Sequence, residues 1–246
     1  MLNPDRKTAP SDTPVRLTRD AVCQRTAPPR VDLARMLRAH GYRQPDRTHK
    51  KVMAEAKRAR ANTETYAEPQ SFFRIVEIES LSGGKLVLKD GPTLTCAAFD
   101  RYLNGCTEVC IFVTTLGDRL DDEIKACMEE ADFQPLESLF LGTFGWLMIE
   151  AVTRELMRDL KRDMAAHGQS LTLRMGPGYS YRQPGTPERA VWDLTEQAAL
   201  LSVFDGVDLP IKLTPGFSMQ PTMTRSGLAG LRHNRTDRHA SPVSQV

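Results

Sequence analysis

The run EVCIFVTTLGD at residues 108–118 decides how the rest of the chain is organised. Glu108–Thr115 is apolar and rich in β-branched residues, which predicts a buried β-strand. Leu116 and Gly117 then interrupt this pattern. Asp118 belongs to a residue type that caps helices, so a helix is predicted from there to about Ala131.

Upstream of this strand, the pattern predicts two helices and then a β-hairpin. Val31–His40 has the periodicity of a short amphipathic helix, and Lys50–Asn62 predicts a second, strongly basic one. Residues 72–79 (FFRIVEIE) alternate as a strand. The Gly-Gly turn within residues 80–84 returns the chain into Lys85–Lys89, which completes the predicted hairpin.

Downstream of the strand, a long helix is predicted to begin at Pro135 and to end near His167. A short strand follows at Ser170–Arg174. Thr186-Pro187-Glu188 is typical of a helix start, with an N-cap threonine and a proline in the first turn, and predicts a helix to about Phe204. Leu209–Leu213 predicts another strand, and the mixed run at residues 217–227 is interpreted as a loop that lines a site.

The order of these elements predicts the α+β class: a single domain with a twisted, largely antiparallel sheet flanked by helices, and disordered termini. Strands do not alternate regularly with crossover helices, and no GxGxxG motif follows a strand, so a Rossmann domain is disfavoured. The predicted organisation is a disordered basic arm over residues 1–30, a folded domain over residues 31–232 and a flexible tail over residues 233–246.

Charge is unevenly distributed along the chain. The net charge is only +2, but residues 1–60 hold 15 lysines and arginines against six acids. A basic arm of this kind can bind nucleic acid or an acidic partner. We favour a solvated terminal segment, because aromatic residues that could stack on bases are nearly absent there. A nucleic-acid partner is therefore not expected.

Cysteine usage and hydropathy predict a cytoplasmic protein that does not cross a membrane. The five cysteines form no CxxC pair, and no signal peptide is visible, which favours reduced thiols in the cytoplasm. Cys106-x-x-x-Cys110 lacks the further ligands that a zinc site needs, so no metal is expected. The longest apolar region, Leu139–Val152, contains Glu150 and is too short to span a bilayer.

The sequence LRMGPGYSYRQPG at residues 173–185 is the least generic part of the chain. Glycine tolerates unusual backbone angles and lets a ligand approach the peptide groups, so Gly176 and Gly178 favour a stiff loop that presents amides and carbonyls. Arg174 could form a forked hydrogen bond to a carboxylate, and Tyr179 offers a flat face. The alternative, a plain strand-to-helix turn with a solvated Arg174, is equally compatible with this pattern.

Glu150 is the second unusual feature, because it falls on an apolar stripe of the long helix. A carboxylate in such a place is costly without a partner. It could pair with an arginine, bind a cationic ligand group, or reach water. No Ser/His/Asp or Cys/His set is apparent, so no catalytic residue is assigned.

Three segments in this order resemble the activation domain of cobalamin-dependent methionine synthase. The first is its R-x-x-P-G-Y loop, here Arg174–Tyr179. The second is a T-x-K/R-x-x-x-W-x-L-like stretch, here Thr186–Leu194. The third has the form S/A-M-x-P-x-x-S-x-S-G, here Ser218–Gly227. The resemblance covers roughly residues 31–232 and is firm from about residue 110.

The resemblance implies that the chain binds S-adenosylmethionine and supports reductive methylation of a cobalamin held by a partner protein. That partner would be a corrinoid-binding methyltransferase, most simply a split methionine synthase, with a one-electron donor such as a flavodoxin or ferredoxin. The resemblance implies that Arg174 holds the methionyl carboxylate, that the backbone at Gly176 and Gly178 and the ring of Tyr179 wall the pocket, and that Glu150 takes the amino or sulfonium side.

The chain departs from the family pattern in two places. Arg182–Gly185 stands where the synthase has a Cys-Pro-x-His run, and Leu228–Gly230 stands where the synthase has aromatics. A corrinoid-binding Asp-x-His-x-x-Gly motif is missing, so cobalamin is expected on a partner. These departures leave two alternatives open: a non-catalytic adaptor that docks on a corrinoid protein, or an activator of a different corrinoid methyltransferase.

Overall fold

A computed structural model describes residues 20–129 and 135–233 of the chain. Its α-helices are α1 (Leu33–Ala39), α2 (Lys50–Tyr66), α3 (Phe99–Tyr102), α4 (Arg119–Glu129), α5 (Pro135–Ala166) and α6 (Gln197–Ser202). Its strands are β1 (Val22–Arg25), β2 (Gln70–Ser82), β3 (Lys85–Leu88), β4 (Thr93–Thr95), β5 (Glu108–Thr115), β6 (Gln169–Leu171), β7 (Ser180–Arg182), β8 (Arg189–Val191), β9 (Lys212–Leu213), β10 (Met219–Gln220) and β11 (Thr224–His233). Short 3₁₀ helices lie at Pro45–Arg47 and Leu194–Glu196.

The main sheet has seven antiparallel strands with β5 near its middle. The order is β4-β3-β2-β5-β11-β6, and β1 pairs with the first residues of β2. β5 pairs with β2 along Gln70–Glu77 on one side and with β11 on the other. Small antiparallel pairs of β7 with β8 and of β9 with β10 lie outside this sheet.

Side chains of β5 alternate between the two faces of the sheet. Val109, Ile111 and Val113 pack into a cluster that also contains Trp192 from the segment after β8. Cys110 and Phe112 point to the opposite face, where they pack against the second half of α5. Since both faces are covered, the whole strand is nearly continuous in apolar residues.

The first half of α5 packs with α1, α2 and α4 in a third apolar cluster. By length and composition α5 could also cross a membrane, the one such helix among residues 20–129 and 135–233. In the apolar 18-residue stretch of α5, 56% of the residues are buried inside the fold. Burial of that kind is also typical of a core helix.

The α+β class and the antiparallel sheet are confirmed, as are most of the helices. α1, α2, α4 and α5 lie where the periodicity predicts them, and the hairpin of β2 with β3 turns at Gly83 and Gly84, both with positive φ. Here the local pattern and the tertiary packing favour the same structure.

Three predictions are wrong within the described residues. Thr186-Pro187-Glu188 does not begin a helix: the chain continues as β8, and α6 begins only at Gln197. Residues 217–227 are not one loop, because Thr224 begins the ten-residue strand β11. The predicted disordered arm contains β1, which gains order by pairing with β2. Residues 1–19 and most of the predicted tail, from residue 234 onward, lie outside the described residues.

Candidate functional site

The loop after β6 is joined to β11 by a pair of backbone hydrogen bonds. Met175 N–H donates to the Leu228 carbonyl at 2.7 Å, and Leu228 N–H donates to the Met175 carbonyl at 2.8 Å. A Cβ on Gly227 would collide with the Met175 carbonyl oxygen, and one on Gly176 would lie 2.8 Å from the Ser226 carbonyl oxygen. Glycine is therefore needed at both positions to let the two backbones approach.

Next to this junction lies a cavity of about 510 Å³. Small-molecule sites commonly have volumes of about 300–1,000 Å³. Its walls come from the loop after β6, from β7, from the segment before β11 and from β11 itself. The aromatic wall residues are Phe112, Tyr179, Tyr181 and Phe217, and the charged ones are Arg174 and Arg225.

The two arginines share one carboxylate, that of Glu150 on α5. Arg174 Nη2 lies 2.8 Å from Glu150 Oε1 and 3.0 Å from Oε2, and Arg225 Nη1 lies 2.7 Å from Oε2. All three side chains are mostly buried, with exposed fractions of 17–28%. One negative and two positive charges leave this triad with a net charge of +1.

One nitrogen of the Arg174 guanidinium does not donate a hydrogen bond to any described residue. Its Nη1 is buried and has no hydrogen-bond partner among the described residues. A buried donor of a charged group without an acceptor costs more than about 1–3 kcal/mol. Since Arg174 lines the cavity, an anionic ligand group placed there would supply the missing acceptor.

Glu150 is not among the residues that line the cavity, although both of its arginine partners are. Both of its oxygens accept hydrogen bonds from arginine. The alternative of an arginine partner is thus what the structure shows. Direct contact of Glu150 with a ligand amine stays a prediction, and would require one of these ion pairs to be exchanged.

The glycine loop is closed by its own hydrogen bonds. Gly176 N–H donates to Tyr181 Oη at 2.7 Å, and the Tyr181 hydroxyl donates to the Gly176 carbonyl at 3.2 Å. Gly178, with φ of 84°, donates its N–H to the Trp192 carbonyl at 2.7 Å. Both amides are thus used within the protein, and contact of the Gly176 and Gly178 backbone with a ligand stays a prediction. The glycines shape the wall through their backbone path.

Tyr181 is held in the protonated form that this closure requires. Burial raises the pKa of its phenol above the ordinary value, although the backbone hydrogen bond with Gly176 acts in the opposite direction. Its ring packs edge-on against Tyr102 at 5.8 Å between centroids. The loop geometry therefore depends on a residue outside the R-x-x-P-G-Y motif.

Two further wall residues are Phe217, which lies in the run predicted to line a site, and Gln197, which the sequence interpretation missed. Phe217 has a φ of 62°, a left-handed conformation that costs about 1–3 kcal/mol for a residue other than glycine. Gln197, the first residue of α6, donates from Nε2 to Ser226 Oγ at 2.6 Å. Gln197 has no local signal, because its place in the wall depends on how distant segments meet.

Of the predicted site residues, Arg174, Gly176 and Tyr179 line the cavity. Gly178 lies within the same loop, and Tyr179 is 54% exposed at the cavity. Arg225 lies within the third motif segment, Ser218–Gly227, and the sequence alone assigns no role to it. Among residues 20–129 and 135–233, no group of three or more histidine, cysteine or acidic side chains could hold a metal ion.

Fold and cavity together define an α+β domain with a ligand-sized site where β11 meets the loop after β6. A solved structure shares this fold: the MetH reactivation domain bound to AdoHcy has a TM-score of 0.57 and 14% sequence identity. The match covers 92% of this chain and 82% of that one. The chain therefore has the fold of the methionine synthase activation domain. No protein-family model and no curated protein matches the sequence.

Proposed function

We propose that this chain binds S-adenosylmethionine in the cavity beside Arg174 and supports reductive methylation of cob(II)alamin on a separate corrinoid methyltransferase, most simply a split methionine synthase. The observation that carries the proposal is the cavity itself, which combines a cationic triad with an aromatic wall on this fold. The solved domain with the same fold is bound to AdoHcy, that is, S-adenosylhomocysteine. This molecule differs from S-adenosylmethionine by the methyl group on sulfur.

The residues suit the two ends of such a ligand. The unsatisfied Nη1 of Arg174 would donate to the α-carboxylate of the methionyl part. Tyr179 and Phe217 would give flat apolar surface to the adenosyl part. The chemistry would need little acid–base help, because a sulfonium methyl is already activated: its S–CH3 bond would break with release of neutral S-adenosylhomocysteine, and the electron pair would come from cobalt reduced by the one-electron donor. The chain's task would be binding and orientation.

Cobalamin is assigned to a partner, since the sequence lacks the corrinoid-binding motif. Tyr179 and Val191 are large apolar side chains exposed on or beside the β7–β8 pair, with exposed fractions of 54% and 64%. Leu194, at 39%, adjoins Gly178. This side of the cavity would face the corrinoid protein. The one-electron donor would be a flavodoxin or ferredoxin, and the expected compartment is the cytoplasm.

The first test is isothermal titration calorimetry of the full chain with S-adenosylmethionine, S-adenosylhomocysteine and adenosine. We expect both amino-acid-bearing ligands to bind and adenosine to bind at least about tenfold more weakly, because it lacks the carboxylate that Arg174 would hold. No binding of either ligand at millimolar concentration would contradict the proposal.

The second test adds a methionine synthase fragment that carries cob(II)alamin, with a one-electron reductant. We expect its absorbance spectrum to change to that of methylcobalamin only when both this chain and S-adenosylmethionine are present. Association with the corrinoid protein without ligand binding would instead support the adaptor alternative. Methylation of the cobalamin on another corrinoid methyltransferase, but not on this fragment, would support the alternative that the chain activates a different corrinoid methyltransferase.

A further inference from the structure

We propose that Arg225 is a specificity-determining residue of this cavity. By pairing with Glu150, it denies that carboxylate to the cationic groups of a ligand, so that the cavity favours a ligand with a neutral sulfur over one with a sulfonium. This inference rests on the proposed function, because it concerns the same cavity and the same class of ligand. The family pattern leaves the position of Arg225 unspecified.

Arg225 is held in place from several sides. It lies opposite Thr114 in the register of β11 and β5, and the Thr114 hydroxyl contacts the Thr153 hydroxyl of α5 at 2.8 Å. Its guanidinium carbon lies 6.0 Å from the ring centroid of Trp146, within the range of a cation–π contact. With 18% of its side chain exposed, Arg225 is a fixed part of the wall.

The charge around the cavity is one-sided. Among the described residues that line it, two are charged, and both are arginines. The carboxylate of Glu150, which pairs with both arginines, accepts their hydrogen bonds on both of its oxygens. A ligand therefore meets a net charge of +1, which attracts a carboxylate and repels a sulfonium.

S-Adenosylmethionine and S-adenosylhomocysteine separate these two effects. Both carry the α-carboxylate and the α-ammonium group, but only the first carries a positive sulfur. The ratio of the affinity for S-adenosylhomocysteine to the affinity for S-adenosylmethionine therefore reports the electrostatic environment of the sulfur. Contacts that both ligands make largely cancel in this ratio. We expect the wild-type chain to bind S-adenosylhomocysteine about tenfold more tightly, a Coulomb effect of ordinary size in a partly buried site.

The experiment measures this ratio by calorimetry in the full chain and in two variants with opposite expected effects. Arg225→Met keeps an unbranched apolar side chain and removes the charge, so Glu150 becomes available to ligand cations and the ratio should fall about tenfold. Glu150→Gln raises the triad charge to +2 and should increase the ratio. Arg225→Lys retains the charge and should keep the ratio close to that of the wild type.

Arg38→Met is the matched control, because it removes the charge of an exposed arginine on α1. General damage to the site would lower the affinity for both ligands, and any change in the ratio would then have the same sign in Arg225→Met and Glu150→Gln. A ratio that changes less than twofold in Arg225→Met, or that falls in Glu150→Gln, would overturn the inference. If Arg225→Met fails to fold, Arg225→Gln, which also removes the charge, is measured in its place, and the same fall in the ratio is expected.

Failure of the two proposals can be distinguished. Absence of binding of both ligands to the wild-type chain overturns the proposed function and this inference together. Binding of both ligands with the same ratio in every variant overturns the role of Arg225 alone, and leaves the proposed function in place. A wild-type preference for S-adenosylmethionine would likewise overturn only the role of Arg225.

Discussion

Helix α5 carries two clusters of arginine and glutamate that differ in their balance of donors and acceptors. In the first, Glu137 accepts from Arg58 Nε at 2.9 Å and from Asn62 at 3.2 Å, while Arg58 also pairs with Glu55. Two acids thus share one arginine. In the second, Arg174 and Arg225 share Glu150, which reverses the balance.

The first cluster joins α2 to α5 and is saturated: both oxygens of Glu137 receive donors. The hydrogen bond with Glu137 is the main reason why the pKa of Arg58 is raised above its ordinary value. In the second, a buried nitrogen of Arg174 has no acceptor among the described residues, and two members line a cavity. A buried donor without an acceptor beside a cavity favours ligand binding, whereas a cluster whose buried carboxylate already has its donors is sufficient to hold helices together.

The sharpest test of this contrast is Arg174→Met. We expect the affinity for S-adenosylhomocysteine to fall about 100-fold, because the ligand carboxylate loses a buried charged donor. The melting temperature should change little, because Glu150 keeps its pair with Arg225 and the unsatisfied nitrogen is removed. Calorimetry and thermal unfolding measure the two effects. A large loss of stability with unchanged affinity would show that this cluster is structural.

Arg58→Met should give the reverse result. Glu137 is 7% exposed and would be left with Asn62 as its only donor among the contacts described above. We expect the free energy of unfolding to fall by about 1–2 kcal/mol, an amount reduced by the 46% exposure of Arg58. Chemical denaturation measures this loss, and ligand affinity should stay within twofold. Weakened binding in this variant would break the distinction between the two clusters.

The smallest effect is expected for Tyr181→Phe, which removes the hydroxyl that closes the loop next to Arg174. Two hydrogen bonds to Gly176 are lost, so the free energy of unfolding at neutral pH should fall by about 1 kcal/mol. Tyr179→Phe is the control, because Tyr179 is exposed.

The pH dependence gives a second measure of Tyr181. Its raised pKa means that the folded chain holds the phenol proton more firmly, so its contribution to stability is complete below about pH 10 and is lost as the pH rises through the folded value. Denaturation between pH 9 and 11 should show a flatter decline in Tyr181→Phe than in the wild type. Equal slopes would indicate that Tyr181 does not couple the loop to pH.

The prediction of a helix start at Thr186 failed because the same residue pattern is compatible with both a helix N-terminus and a turn. Thr186 does accept a hydrogen bond from Glu188 N–H at 3.1 Å, as an N-cap would. The same contact forms in a turn, and here the chain goes on as β8 because β7 pairs with it and Trp192 is fully buried. The effective cap of the later helical segment is Asp193, which accepts from Thr195 N–H at 2.8 Å.

By itself, the sequence determined the elements whose periodicity and burial agree: β5, the hairpin of β2 with β3, and the long helix α5. It also indicated Arg174, Glu150 and the glycine loop as unusual. A carboxylate on an apolar stripe costs free energy unless it has a partner, and closely spaced glycines cost conformational entropy on folding. Only the tertiary structure decided how they combine. The register of β11 against β5 brings Arg225 to Glu150, and the bridge of Met175 with Leu228 brings Arg174 to the same cavity. These contacts join residues far apart in the chain, so their geometry depends on the packing of the whole domain.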